Sequence, residues 1–381
     1  MNSARQFYIS PFQSDVLDLS RWVAAFLVVV EHLRSLMFAD YGTQGRSGIM
    51  DKLFYFFTGF GHSAVMVFFV MSGFLVGGKV LDRLRQGNFD WQKYGVDRVS
   101  RLYAVYVLAL LLGGALDYFG YQYFNQIGFY NHKFPGRIAV INHNFHQNLT
   151  VPVFAVNFAM CQTILGPVFG SNGPLWSLAN EFWYYVTGPL AFALIFQKKV
   201  GFRVFGTIGL AIIIWFLPTP ILIYSLVWLL GAMLYFMNGR VLVPFWISLI
   251  LFAVSFSVAR LQWLTIPYLA DFLIGISFAL LINSAAGASR RLPGHNRSRT
   301  AAGFSYSVYL CHFPFLVFVL SLLFQENWIG FRKQPTLKLA MVFLFILLMT
   351  YVWCFLISLV TERQTSRIRA WLKPMPSAVA T

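Results

Sequence analysis

Long apolar runs alternate with short polar stretches over most of the 381 residues. A helix needs roughly 17–25 apolar residues to cross a lipid hydrocarbon core. Runs suited to that task lie at 17–39, 53–78, 102–124, 176–196, 204–217, 221–237, 241–259, 264–284, 301–324 and 337–360. The run at 204–217 is the shortest, and its ends are the least defined. An eleventh, 151–169, is broken by Pro152, Gln162, Gly166 and Pro167. The pattern predicts an all-α polytopic membrane bundle of about ten transmembrane helices.

Composition supports that reading. Apolar residues make up 58% of the chain and charged residues 11%, against roughly 25% charged in a soluble domain. So few charges cannot cover a soluble globule of this size. A cytosolic enzyme, a disordered chain and a secreted disulfide scaffold are excluded. Cys161, Cys311 and Cys354 lie in apolar segments outside any Cys-x-x-Cys pair, so neither a disulfide framework nor a thiolate metal site is signalled, and no metal is expected. Residues 1–14 are polar, and the first apolar run lacks a small-residue cleavage site, so no cleavable leader is expected.

The formal charge of +16 is not read as a nucleic-acid signature. Basic residues cluster between apolar runs, as the positive-inside rule requires. They concentrate in 79–101, 197–203, 285–299 (Arg290, Arg291, Arg297, Arg299) and the tail (Arg363, Arg367, Arg369, Lys373). If all four stretches are cytoplasmic, an even number of spans separates each from the next. That holds only if 151–169 does not cross and instead re-enters or lies on the outer surface. The expectation is one membrane domain over 1–381 with both termini cytoplasmic. It has a cytoplasmic N-terminal segment 1–16, an extracytoplasmic loop 125–170 with the re-entrant segment, and a cytoplasmic tail 361–381. The loop holds His132, His143 and His146 among Asn and Tyr residues. It is either a carbohydrate-contacting surface or a solvated connector. No internal repeat supports an inverted-repeat transporter.

Ionisable groups inside the runs carry the chemistry, because each costs roughly 2.5–3.5 kcal/mol at mid-bilayer. Arg21 and His32 are eleven positions apart, within about 20° of three full turns, so they share one helix face about 16 Å apart. Glu31 precedes the histidine, about 100° around the helix. Ser177 and Glu181 share a face at the entry of the fourth run. Glu181 is expected about 10 Å inside the outer boundary, at a depth similar to that of His32. The alternative for Glu181 is a water-exposed helix end. Ser305, Tyr306, Tyr309 and His312 fall on one stripe ahead of Pro314, lining a polar cavity or hydrogen-bonding between helices. Arg98 and Arg101, three apart, either meet phosphates or anchor the topology. Asp117 and Asp271 are lone intramembrane acids. Gly-x-Ser-x-Gly, His-Glu-x-x-His, Walker and Rossmann motifs are all missing, so any cofactor must bind within the bundle or at its cytoplasmic mouth.

At these residues the sequence resembles the acyltransferase-3 family of integral membrane proteins, mostly bacterial sugar O-acyltransferases. Leu17-Asp18-Leu-Ser-Arg21 through His32 resembles the family's opening Leu-Asp-x-x-Arg with a later His. Phe68-Phe-Val-Met-Ser72-Gly73-Phe74 is similar to its Ser-Gly-Phe segment, and Arg98-Val-Ser-Arg101 to its Arg-x-x-Arg. Pro174-Leu-Trp176-Ser177-Leu-Ala-Asn180-Glu181 resembles its Trp-Ser-Leu with a following Glu, although Asn180 stands where many members carry a second acid. Ser305-Tyr306-Ser-Val-Tyr309-Leu-Cys-His312-Phe-Pro314 is similar to its Ser-Tyr-Ser-x-Tyr-x-x-His-x-Pro, and Glu362-Arg363 to its carboxyl end.

The resemblance implies a multi-pass protein of a bacterial inner membrane. It implies an acyl-CoA donor, usually acetyl-CoA, on the cytoplasmic side, and a glycan hydroxyl as acceptor. With the chain stopping at Thr381, no appended esterase-like domain is expected. On this reading His32 is the general base, with Glu31 or Glu181 orienting it. Arg21 meets the donor, and Arg98 and Arg101 hold CoA phosphates. Asp18, Trp176, Ser177, Tyr306, Tyr309 and His312 belong to the substrate path. The competing classes are a proton-coupled transporter or flippase, in which buried His and Glu carry protons, and an envelope scaffold, which leaves the buried charges unexplained.

Overall fold

The computed structural model describes residues 7–42, 48–237, 239–288 and 291–372. Arg290, Lys373 and the outer parts of both expected terminal segments lie outside the described residues. Regular structure among the described residues is helical, apart from one isolated bridge between Gln162 and Gly166. All ten apolar runs become helix. The first forms α1 (Pro11–Met37) and the second α2 (Ile49–Phe57), α3 (Gly61–Ser72) and α4 (Gly78–Arg85), the last two fused by a π-helical turn at Gly73–Gly77. Then come α5 (Trp91–Tyr123), the short α6 (Val151–Phe158), α7 (Trp176–Phe196), α8 (Val200–Phe216), α9 (Thr219–Met237), α10 (Phe245–Arg260) and α11 (Leu269–Ala285). A surface helix α12 (His295–Ala302) leads into α13 (Ser305–Gln325), α14 (Leu337–Val360) and the terminal α15 (Thr365–Leu372).

Five helical segments among the described residues are long and apolar enough to cross a membrane: Ile49–Arg85, Trp91–Tyr123, Thr219–Met237, Ser305–Gln325 and Leu337–Leu372. α8, α10 and α11 are shorter, at 17, 16 and 17 residues. α1 and α7 are diluted by polar residues that build the site described below. α1 starts inside the expected N-terminal segment, because Ser10 accepts a hydrogen bond from the Gln13 amide (3.1 Å) and Pro11 presets the first turn.

The basic stretches gather at one end of the bundle. Lys79, Arg83, Arg98, Arg101 and Arg369 share one cavity there. Phe202 lies 6.3 Å from Trp91 ring to ring. Arg291 pairs with Asp15 at 2.7 Å, and Arg369 with Asp97 at 3.1 Å. The other end carries the 125–150 loop. Arg332 binds that loop at the Arg137 carbonyl (2.8 Å) and the end of α1 at the Phe38 carbonyl (3.0 Å). Phe129, Tyr130 and Phe145 are fully buried, so this loop is packed into the core and is not a solvated connector.

The 151–169 segment does not form a spanning helix. α6 has eight residues, about 12 Å of rise. The chain then reverses through Met160 and Thr163, whose φ angles are 56° and 65°. Tyr106 Oη donates to the Asn157 carbonyl (2.7 Å) and Trp183 Nε1 to that of Met160 (3.0 Å). Tyr106 lies 17 residues before the end of α5, about 25 Å along it, so the segment dips deep between α5 and α7.

α3 and α9 touch backbone to backbone. A Cβ at Gly73 would overlap the Trp228 carbonyl oxygen, and one at Gly231 the Val70 carbonyl oxygen.

Candidate active site

A cavity of about 520 Å³ opens between α1, α3, α5, α7 and α13 at the basic end. Six cations line it (Arg21, Lys79, Arg83, Arg98, Arg101 and Arg369) against two acids, Asp97 and Glu181. Arg21 is held at 3.4 Å by Asp18, one turn earlier on α1. Arg101 lies 3.7 Å from Glu362, whose Oε2 also accepts from the Ser307 amide (3.1 Å) and hydroxyl (3.0 Å). Arg98 sits over the rings of Tyr94 and Tyr185, 5.8 and 5.6 Å from their centroids. Its buried Nε makes no hydrogen bond. A guanidinium held by aromatic faces, with an unpaired N–H, is suited to a phosphate oxygen.

The acid in this cavity is fixed by a directional hydrogen-bond chain. Trp228 Nε1 can only donate, and it donates to Ser72 Oγ (3.2 Å). Ser72 donates to Tyr185 Oη (3.1 Å), and Tyr185 donates to Glu181 Oε1. Each proton points toward Glu181, so its carboxylate acts as acceptor.

At the inner end of the cavity, Ser177 Oγ and Tyr309 Oη lie 2.6 Å apart, and both are within reach of the Pro174 carbonyl (3.3 and 3.2 Å). One turn beyond, His32 Nδ1 and His312 Nε2 are 2.8 Å apart. Nδ1 of His312 faces two carbonyl oxygens, those of Val308 and Tyr309, each at 2.9 Å. That nitrogen therefore carries the proton. In the neutral ring Nε2 then accepts, His32 Nδ1 donates, and the lone pair of His32 lies on Nε2. No hydrogen bond to that atom occurs among the described residues.

A family model of an acyltransferase domain matches residues 15–359, from the first turns of α1 to the last turn of α14. The chain belongs to the acyltransferase-3 family. It is also 31% identical over 134 residues to an uncharacterised protein of Haemophilus influenzae; the aligned part is 35% of this chain and 49% of that protein. The chain thus spans about half the length of that relative. No solved structure matches.

The acyltransferase-3 segments converge, with adjustments. Arg21, Arg98, Arg101, Ser177, Glu181, Tyr306 and Tyr309 all line the cavity. Asp18 does not; it serves Arg21. Neither acid expected to orient His32 meets its ring. Glu31 Oε2 accepts from the Gly61 amide at the start of α3, and Glu181 is bound to Tyr185. His312, expected along the substrate path, is the partner of His32. Glu181 is not level with His32. Ser177, in the first turn of α7, meets Tyr309, the fifth residue of α13. Glu181, five residues past Trp176, stands about 7 Å further toward the basic end, among Arg21 and Arg98 and outside the layer of His32. Trp176 faces the other way, its ring 6.3 Å from that of His62.

Several residues escaped the sequence reading. Lys79, Arg83 and Arg369 resembled topology markers. Ser72 read as part of a motif, without a role. His62 gave a signal, as an ionisable group inside an apolar run.

Proposed function

We propose that this acyltransferase-3 protein moves an acyl group, in the first instance acetyl, from CoA to a hydroxyl of a cell-envelope glycan. It does so as a ten-pass protein of a bacterial inner membrane with both termini in the cytoplasm. The observation that carries this reading is the juxtaposition of a polycationic cavity at the basic end with an oriented imidazole one turn beyond its inner wall. Positive-inside bias supports a cytoplasmic basic end, where acyl-CoA is found.

Arg98 and Arg101, supported by Lys79, Arg83 and Arg369, hold the phosphates of the donor. Arg21, its Nη1 occupied by Asp18, presents its remaining N–H groups to the thioester region. His32 Nε2 takes the proton of the acceptor hydroxyl as the acceptor oxygen bonds to the acyl carbon. The C–S bond breaks, and the proton passes to the departing thiolate. His312 keeps the Nδ1–H of His32 in place throughout, and that bond becomes charge-assisted while His32 is protonated. Tyr309 stands between cavity and histidine pair, its ring 6.3 Å from His312, and must swing for the two to connect. Transfer through an acyl-His32 intermediate is the variant of this scheme in which His32 Nε2 attacks first.

Acetyl-CoA turnover by purified protein, followed by mass spectrometry of envelope glycans with and without the gene, tests the proposal. His32→Ala is expected to remove transfer while expression and thermal stability persist. Retained acetylation by that variant rejects the assignment. Rapid-quench trapping of labelled protein without acceptor separates direct transfer from the acyl-enzyme route.

A further inference from the structure

A second polar centre lies outside the cavity, where α3, α7, α9 and α11 begin. His62 Nε2 is 3.1 Å from Asp271 Oδ1, and Tyr224 Oη donates to Asp271 Oδ2 at 3.1 Å. These groups come from the first turn of α3, the first turn of α11 and the second turn of α9, and Trp176 opens α7 beside them. The helices present their N-termini here, the ends where backbone N–H groups are unsatisfied and negative charge is favoured. Asp271 is buried to 9% exposure, and its two oxygens are held by these partners. His62, by contrast, is 53% exposed at its side chain. It stands in the first turn of α3, within the Ile49–Arg85 segment, whose most apolar stretch is 78% buried. Trp176 of α7, Tyr224 of α9 and Asp271 of α11 flank the half-open ring, so it opens between helices.

The chemistry of this opening is specific. A carboxylate accepts only, so His62 donates from Nε2, and in the neutral ring Nδ1 is left as an acceptor with no partner among the described residues. Trp176 lies nearly parallel to the His62 ring at 6.3 Å, Tyr224 meets that ring edge-on at 6.3 Å, and Tyr268 packs edge-on against Tyr224 at 5.4 Å. Flat amphipathic rings beside a charge-fixed acceptor match a pyranose, whose C–H face stacks on an aromatic and whose rim carries hydroxyl donors. The site also adjoins the proposed base: Glu31, next to His32 in the chain, binds the amide of Gly61, next to His62. Phe69 lies between the two half-sites, lining the donor cavity while its ring meets Trp176 at 6.2 Å.

We infer that His62, Asp271, Tyr224 and Trp176 form the acceptor subsite, which binds one sugar ring of the glycan through its hydroxyls. This deepens the acyl-transfer reading and rests on it for the word acceptor.

The test is saturation-transfer NMR on the full chain in a sugar-free detergent, with methyl α-D-glucopyranoside, methyl N-acetyl-β-D-glucosaminide and methyl α-L-rhamnopyranoside as probes and glycerol as control. At least one pyranoside is expected to receive saturation that glycerol does not. The signal should fall at least fivefold in His62→Gln and Asp271→Asn, and CoA binding should be unchanged in both. If no pyranoside binds, or if both variants bind as the parent does, the inference is overturned, including the case in which they only lower thermal stability. Absence of CoA binding in the parent chain, with pyranoside binding intact, would instead defeat the acyl-transfer reading and leave a sugar site.

Discussion

His32 and His312 meet at 2.8 Å with their rings 8° from parallel, although 280 residues separate them. The Val308 and Tyr309 carbonyls fix the proton of His312 and so determine which nitrogen of His32 is basic. This is the task a carboxylate performs in a Ser-His-Asp triad, done here by a neutral ring. His312→Ala should lower kcat by about 10²–10⁴, the range associated with loss of an oriented acid–base group, while KM for acetyl-CoA stays constant. Steady-state kinetics in the donor and acceptor directions checks this. A rise in donor KM with kcat intact would place His312 in binding instead.

The chain from Trp228 through Ser72 and Tyr185 to Glu181 predicts a stability effect. Ser72→Ala leaves the Trp228 indole N–H unpaired and takes away the proton that Tyr185 accepts, a cost of about 1–3 kcal/mol for an orphaned buried group. Thermal unfolding in detergent should show a lower midpoint for Ser72→Ala. Trp228→Phe, which removes the donor together with its need for a partner, should be milder if packing is kept.

Arg98 and Arg101 differ in their attachments, and the difference is measurable. Arg101 is tied to Glu362, whereas among the described residues Arg98 is held by ring faces. A hydrogen bond to a charged group contributes about 1.5–3 kcal/mol, so Arg98→Gln should weaken CoA binding by roughly 10- to 150-fold. Calorimetric titration should show a smaller penalty for desphospho-CoA if the contact is to the 3′-phosphate. Equal penalties would place the arginine on the diphosphate.

The packed loop carries a pH dependence. His143 donates from Nε2 toward the Gly170 carbonyl (3.1 Å), yet burial pushes its pKa below the ordinary value near 6.5. The folded loop therefore resists a proton that the unfolded loop accepts. Stability from this group is complete above pH 6.5 and is lost as pH falls from there through the lowered folded pKa. Hydrogen exchange across 125–170 should quicken over that interval, and His143→Asn should flatten the response.

Much of the fold was written in hydropathy. The runs at 176–196 and 337–360 coincide with α7 and α14 to the residue, because in lipid every backbone polar group must be satisfied within its own helix, so apolar length and helix length coincide. The level of Glu181 relative to His32 was not legible. It depends on the non-helical stretch before α7 entering the bundle, where side chains such as Asn157 and Gln162 satisfy the backbone, and a count from the first apolar residue cannot register that descent. Asp271 stood out as a lone intramembrane acid and His62 did not, and nothing in either segment announces the other.

The sequence by itself determined a helical membrane protein, the ends on which its charges gather, and the segments that carry its chemistry. These follow from local rules of burial and helical period. Only the tertiary structure decided which groups meet: His32 with His312, Glu181 with Tyr185, His62 with Asp271. Such pairings depend on how helices distant in the chain are staggered against one another. That stagger is set by close contacts such as Gly73 on α9 and by the 151–169 segment packed against α5 and α7, and no local pattern encodes it.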